Sequence, residues 1–282
     1  MERKIARRVQ GMRTQDGAGV KLTRVLGIRT VDDFDPFLML DSFDSTNPDD
    51  YTKGFPFHPH RGIETITYLR SGAMTHRDHL GNQSTVTDGG VQWMTAGSGI
   101  IHEEMPHPSD RMLGVQLWLN MKRDEKMGKP AYYDIPSSTI KEFEFDGGYL
   151  RVLAGEYGDL GGFSSGHHPI NLYSLNIEAG RDFNLDTDEN KAVILFTLDG
   201  DAQIAGTKVE EKTAVVTTPG DSVNVKAYDK NIEVLVLISD RIDEPIAWGG
   251  PIVMNTEAEL NHAFDELRAG TFIKVKADDI NL

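Results

Sequence analysis

Two short stretches of this 282-residue chain carry side chains that could do metal chemistry. One is Phe57-His58-Pro59-His60-Arg61-Gly62 and the other is Gly99-Ile100-Ile101-His102-Glu103-Glu104. Each sets two metal-ligating side chains two positions apart: His58 with His60, and His102 with Glu104. Side chains alternate faces along a β-strand, so residues i and i+2 point the same way. Two such strands side by side would aim three imidazoles and one carboxylate into one small volume. Histidine and carboxylate donors suit Fe(II), Mn, Ni, Cu or Zn. On an octahedral ion four such donors leave room for water, substrate or dioxygen, whereas a closed tetrahedral set would make a structural zinc. Cysteine is absent. Disulfides, thiolate ligands and cysteine nucleophiles are therefore excluded, which favours a catalytic or redox centre.

The elements that must position these residues read as short strands and turns. Phe34 to Asp41 looks like a strand opening after an Asp-Pro turn, and Asn47 to Tyr51 like a loop. The first ligand strand runs from about Phe57, with Pro59 suited to a strand start or an edge. Glu64 to Leu69 is rich in β-branched and aromatic residues and predicts a strand. Ala73 to His79, Ser84 to Val86, Val91 to Thr95, Gly99 to Glu104 and Gly114 to Asn120 follow, separated by glycine-bearing turns. His76 and His79 are expected to point outward or to stand behind the ligands. Lys122 to Pro136, polar and holding Gly128, Pro130 and Pro136, reads as a linker. Strands recur from Tyr149 to Ser239, with turns at Asp199-Gly200-Asp201 and Pro219-Gly220-Asp221 that echo the first half. That echo is consistent with a duplicated barrel. His167-His168 reads as a loop pair. One helix is well signalled: Thr256-Glu257-Ala258-Glu259 fits a capping box, Leu260, Ala263, Phe264 and Leu267 form an apolar stripe, and Gly270 suits a C-cap. His262, between stripe positions, is expected at the surface. The fold class is all-β, with a short C-terminal helix.

Composition narrows the function. The hydrophobic share of 39% supports a sizeable core, and the length suits two domains. The net charge of −15 opposes direct binding to nucleic acid, although a basic patch could lie near Arg3, Lys4, Arg7 and Arg8. No apolar run approaches the length of a membrane span, and no secretory signal is seen. The expected location is cytoplasmic, or nuclear in a eukaryote.

The two ligand motifs, with His76-Arg77-Asp78, Gln92-Trp93-Met94-Thr95-Ala96-Gly97-Ser98 and Leu117-Trp118-Leu119-Asn120, strongly resemble the pirin family. Glu244-Pro245-Ile246 and Gly250-Pro251-Ile252-Val253-Met254-Asn255-Thr256 resemble its C-terminal signature. The resemblance implies two cupin (jelly-roll) β-barrels face to face: residues 1–136 with the metal, and residues 137–282 without one. Gly180 to Asp188, where a first cupin motif would fall in the second half, has no histidine. Carried over by motif, the ligands are His58, His60, His102 and Glu104. Glu64 stands where many other cupins use a ligand carboxylate; in pirins that role passes to Glu104, leaving Glu64 a place behind the ligands. Glu103, of opposite parity, should face away. The family implies one divalent transition metal, Fe(II) foremost, with Ni, Cu, Mn or Zn as alternatives. Several members resemble flavonol dioxygenases that open quercetin with O2 and release carbon monoxide. Others are described as redox-dependent partners of transcription factors or metabolic enzymes. Under the first reading Glu104 is the candidate base, and Phe55, Phe57, Met94, Gln116 and Trp118 are candidate pocket residues.

Overall fold

Alternating apolar residues punctuated by turn glycines build antiparallel sheets here, and the computed structural model describes residues 1–277 of the chain. The described residues divide into two compact units, neither of them contiguous in sequence. One takes Met1–Met12, Arg24–Pro36 and Thr139–Arg241; the other takes Arg13–Thr23, Phe37–Ser138 and the chain from Ile242 onward. These bounds differ from a single division at residue 136/137.

The unit without the ligand motifs has a seven-stranded and a four-stranded sheet. The first strand of the chain, Ile5–Gln10, joins the larger sheet by pairing antiparallel with Thr213–Thr217. Its charged residues hid it in the sequence. Arg3 explains its anchorage: the buried guanidinium donates to Thr187 Oγ1 at 2.7 Å, Thr218 O at 2.9 Å and Asp188 O at 2.6 Å. Arg7 pairs with Asp33 at 2.5 Å and Arg8 with Glu210. Much of the basic N-terminus is thus spent on neighbouring carboxylates and carbonyls. Leu150, Val152, Leu175, Leu195, Val225 and Val236 belong to an apolar core shared by both sheets. His168, expected in a loop, is buried and its Nε2 lies 3.0 Å from Ser239 Oγ and 2.9 Å from Asp240 O.

The unit with the ligand motifs repeats the plan. Its larger sheet runs in the order Ala131–Ile135, Val91–Thr95, Ile63–Ser71, Met112–Asn120, Phe37–Ser45, Val20–Leu26, Met12–Asp16. Ala131–Ile135, which lies inside the expected linker, is an edge strand paired with Val91–Thr95. The smaller sheet runs Phe55–His60, Ile100–His107, Ala73–Asp78, Gln83–Val86. Pro56 and Pro59 sit on its edge strand, where a missing N–H breaks no ladder. Between the sheets Val20, Leu22, Phe43, Tyr51, Phe55, Leu69, Met74, Val86 and Met112 pack as one apolar cluster. Each such buried side chain contributes about 1.5–3 kcal/mol. Register then places polar residues farther along the same interior faces.

The helix Glu257–Ala269 has the expected capping box, with Thr256 Oγ1 accepting from Glu259 N and Glu259 Oε2 accepting from Thr256 N. Gly270 ends it at φ 71°. His262 is exposed, 3.2 Å from Glu266. No helix among the described residues is long and apolar enough to cross a membrane.

Candidate metal centre

Register brings the two motifs together. In the antiparallel pairing of Phe55–His60 with Ile100–His107, His58 stands opposite His102 and His60 opposite Ile100. On the other side of Ile100–His107, Asp78 stands opposite His102 and His76 opposite Glu104. Directly opposed residues share a face, as do residues two apart. His58, His60, His102, Glu104, His76 and Asp78 therefore occupy one face of this sheet. Glu103 has the other parity and pairs with Arg77 at 2.5 Å.

The three ligand histidines converge through one nitrogen each. His58 Nε2 lies 3.0 Å from His60 Nε2 and 3.0 Å from His102 Nε2. The donor atoms of all three residues fall within 4.8 Å of one another. Their Nδ1 atoms are engaged elsewhere: His58 Nδ1 is 2.9 Å from Pro56 O, and His60 Nδ1 is 3.0 Å from Pro251 O. A carbonyl can only accept, so both Nδ1 atoms carry the proton, and in the neutral ring both Nε2 atoms are bare. Bare lone pairs 3.0 Å apart repel unless a cation lies between them. Nitrogen donors about 2.1 Å from one metal ion and at right angles to each other stand about 3.0 Å apart. The residues present fit a transition metal.

Burial keeps His60 and His102 neutral. Desolvation, followed by the neighbouring His58, pushes His60 down to about 3, against the contrary pull of the Pro251 carbonyl. Desolvation, followed by His60, His58 and His76, pushes His102 well below its ordinary value. Neutral imidazole is the form that binds metal, so protons need not be expelled from these two ligands at neutral pH.

Glu104 shares the face but is held by other groups. Gln116 Nε2 donates to its two carboxylate oxygens at 2.8 and 2.7 Å, and Thr67 Oγ1 donates at 3.2 Å. It is not a member of the cluster within 4.8 Å, which consists of the three histidines. Gln116 and Thr67 stand opposite each other across two paired strands, and Gln92 opposite Thr67 in the next. Two residues along, Trp118, Thr65, Met94 and Tyr132 form a second row on the same face. The Trp118 ring meets the His60 ring edge-on, centroids 5.0 Å apart.

The remaining expected residues fall elsewhere. Glu64 is fully buried on the opposite face of its strand from Thr65, accepting from Trp93 Nε1 at 3.0 Å and Thr95 Oγ1 at 2.6 Å. It does not stand behind the ligands. Phe55, opposite Glu104 in register, packs in the apolar cluster, and Phe57, one residue out of phase with His58, is 57% exposed.

The sequence reading missed the carbonyl of Pro251, in the turn between the paired strands Ala247–Gly249 and Ile252–Met254. It left the place of His76 open. His76 is buried, with Nδ1 3.3 Å from His102 Nδ1 and Nε2 3.0 Å from Asp78 Oδ2, and it stacks on Tyr132 at 4.1 Å. Burial alone would raise the Asp78 carboxyl, but hydrogen bonds from His76 and Asn82 outweigh it and hold it below the usual range. The same two-residue spacing in His76-Arg77-Asp78 was the available signal.

Paired antiparallel sheets in each unit, one interior carrying a three-histidine cluster, define a two-domain cupin protein. The family profile described as Pirin matches residues 19–119, and that described as the Pirin C-terminal cupin domain matches residues 172–273. This chain belongs to the pirin family. It is 39% identical over 274 residues to the pirin-like protein of Caulobacter vibrioides, covering 96% of this chain and 99% of that one. It is 33% identical over 272 residues to pirin of Homo sapiens, covering 94% and 92%. A crystal structure of quercetin 2,3-dioxygenase from Acinetobacter baumannii matches the fold with a TM-score of 0.87 at 30% identity, covering 96% of this chain and 99% of that one.

Proposed function

We propose that this chain is a metal-dependent dioxygenase that opens flavonols such as quercetin with O2. The observation that carries the reading is the convergence of three histidine Nε2 atoms inside a barrel, with the Glu104 carboxylate on the same sheet face. The likeness to the Acinetobacter baumannii quercetin 2,3-dioxygenase supports the choice of substrate. We assign one divalent transition metal to His58, His60, His102 and Glu104, and take Fe(II) as the resident ion with Ni, Cu, Mn or Zn as substitutes. When bound, such an ion supplies a Lewis-acid and redox centre for a flavonol oxygen and O2.

The chain's own residues do the rest. The backbone carbonyls of Pro56 and Pro251 hold His58 and His60 as Nε2 donors. Gln116 and Thr67 hold Glu104 as an acceptor, poised to take the proton of the flavonol hydroxyl. Carboxylate proton transfer of this kind is worth about 10²–10⁴-fold in rate. Met94 and Trp118, both buried on the interior face, offer apolar surface to a flat aromatic ring. Oxygen uptake with quercetin by the Fe(II)-loaded protein tests the proposal. His58→Ala and Glu104→Ala are expected to abolish uptake, and unchanged uptake in either removes the site from the reaction.

Phe57 favours a second reading. An aromatic side chain 57% exposed beside His58, on the edge strand of the ligand sheet, is a surface that a protein partner could cover. In that reading the protein is an iron-dependent redox sensor that binds a transcription factor or metabolic enzyme. It predicts negligible turnover and partner affinity that changes between Fe(II) and Fe(III). Equal affinity in the two states, or loss of none on Phe57→Ser, removes it.

A further inference from the structure

We propose that His76 and Asp78 form an outer arm of the metal centre that fixes His102 as an Nε2 donor. The inference rests on the metal-binding reading of the histidine triad. His58 and His60 each lean on a backbone carbonyl, whereas Nδ1 of His102 meets another ring nitrogen, Nδ1 of His76, at 3.3 Å. Two facing nitrogens make a hydrogen bond only if one carries a proton and the other does not.

Asp78 decides which. Its Oδ2 lies 3.0 Å from His76 Nε2 and accepts from Asn82 Nδ2 at 2.9 Å, while its Oδ1 accepts from Leu80 N at 2.9 Å and Asn82 N at 3.1 Å. Surrounded by donors, the carboxylate acts as an acceptor, so His76 Nε2 carries the ring proton. In the neutral ring His76 Nδ1 is then bare and accepts from His102 Nδ1–H. Nε2 of His102 is left bare, 3.0 Å from Nε2 of His58. The arm is rigid: His76 and Asp78 are both buried, and the His76 ring lies flat on Tyr132, 4.1 Å away at 12°. Both residues come from one strand and stand opposite Glu104 and His102 in register. An anion acting through His76 strengthens His102 as a donor, and removing such a partner typically lowers metal affinity about 10–100-fold.

The test measures Ni(II) affinity by competition with a chelating dye, together with the visible absorption of Co(II)-loaded protein. His76→Phe keeps a ring on Tyr132 and removes both nitrogens. It is expected to bind Ni(II) about 10–100-fold more weakly than wild type, with a shifted Co(II) spectrum, and to remain folded without metal at a somewhat lower melting temperature. His76→Asn puts an amide oxygen where Nδ1 stood and is expected to recover most of the affinity. Asp78→Asn, which removes the anion at constant volume, is expected to weaken binding at least about threefold. Wild-type protein that takes up no Ni(II) overturns the metal reading and the arm with it. Wild-type binding matched within twofold by folded His76→Phe overturns the arm alone. If His76→Phe does not fold, unchanged affinity in Asp78→Asn does the same.

Discussion

The carbonyl of Pro251 stands 3.0 Å from Nδ1 of His60, 191 residues away in sequence. A C-terminal hairpin thereby sets the donor nitrogen of a ligand near the N-terminal end of the chain. The hairpin is docked beside it, with Val253 N donating to Arg61 O at 3.1 Å. Arg61 in turn donates to Ser98 O, Glu266 and Phe272 O, with its guanidinium over the Phe272 ring.

Gly62 permits that docking. Its φ is +78°, and a Cβ there would lie 2.0 Å from Val253 O. Gly62→Ala is expected to cost about 1–3 kcal/mol from backbone strain alone, and to displace the hairpin that orients His60. A thermal melt and Ni(II) retention after gel filtration check both effects. A variant that is destabilised yet keeps full metal affinity would show that the Pro251 carbonyl does not matter to binding.

Gln116 presents a different prediction. Its amide donates to both oxygens of Glu104 from inside the barrel. Gln116→Leu leaves the three histidines untouched and removes the donor that orients the carboxylate. Metal content is expected to hold while oxygen uptake with quercetin falls about 10–100-fold. Steady-state kinetics on metal-quantified protein separate the two; parallel loss of metal and activity assigns Gln116 to binding instead.

Strand parity made much of this centre legible. His58, His60, His102 and Glu104 lie on one face because two-residue spacing on paired strands demands it, and the capping box at Thr256 and Glu259 formed as its residue types require. Phe57 is exposed for the same reason: it is out of phase with His58. Glu64 was assigned by analogy, and its parity relative to Thr65 and Thr67 puts it on the far face. The Pro251 acceptor was not readable, because a backbone carbonyl has no residue type and its approach is decided by tertiary packing. The strands Ile5–Gln10 and Ala131–Ile135 were hidden because edge strands tolerate charge and irregular alternation.

The helix Glu257–Ala269 offers a control on stability without the metal. Thr256→Ala removes the acceptor for Glu259 N, a cap worth about 1 kcal/mol. The melting temperature is expected to fall by a few degrees. Glu266, which pairs with Arg61 at 2.7 Å, lies in a later turn of the helix, so metal affinity should stay within a factor of two. A large loss of metal in this variant would show that the helix and the ligand strand move as one unit.

Acid should destabilise the metal-free protein in a defined direction. The folded state holds His60 near 3 and His102 well below its ordinary value, because burial disfavours the charged ring. The unfolded chain protonates both at about 6.5. Between these limits the unfolded state binds more protons, so the unfolding free energy falls as pH falls. Each such histidine contributes a slope of about 1.4 kcal/mol per pH unit within its window. The Asp78 carboxyl, held low by His76 and Asn82, acts in the same direction once pH falls below about 4, the unfolded carboxyl's range. Urea midpoints of the metal-free protein are therefore expected to decline steadily from pH 6.5 to pH 4, and His60→Gln, which cannot take up the proton, should decline less steeply. A midpoint that stays flat across that interval in the wild type contradicts the burial argument for both rings.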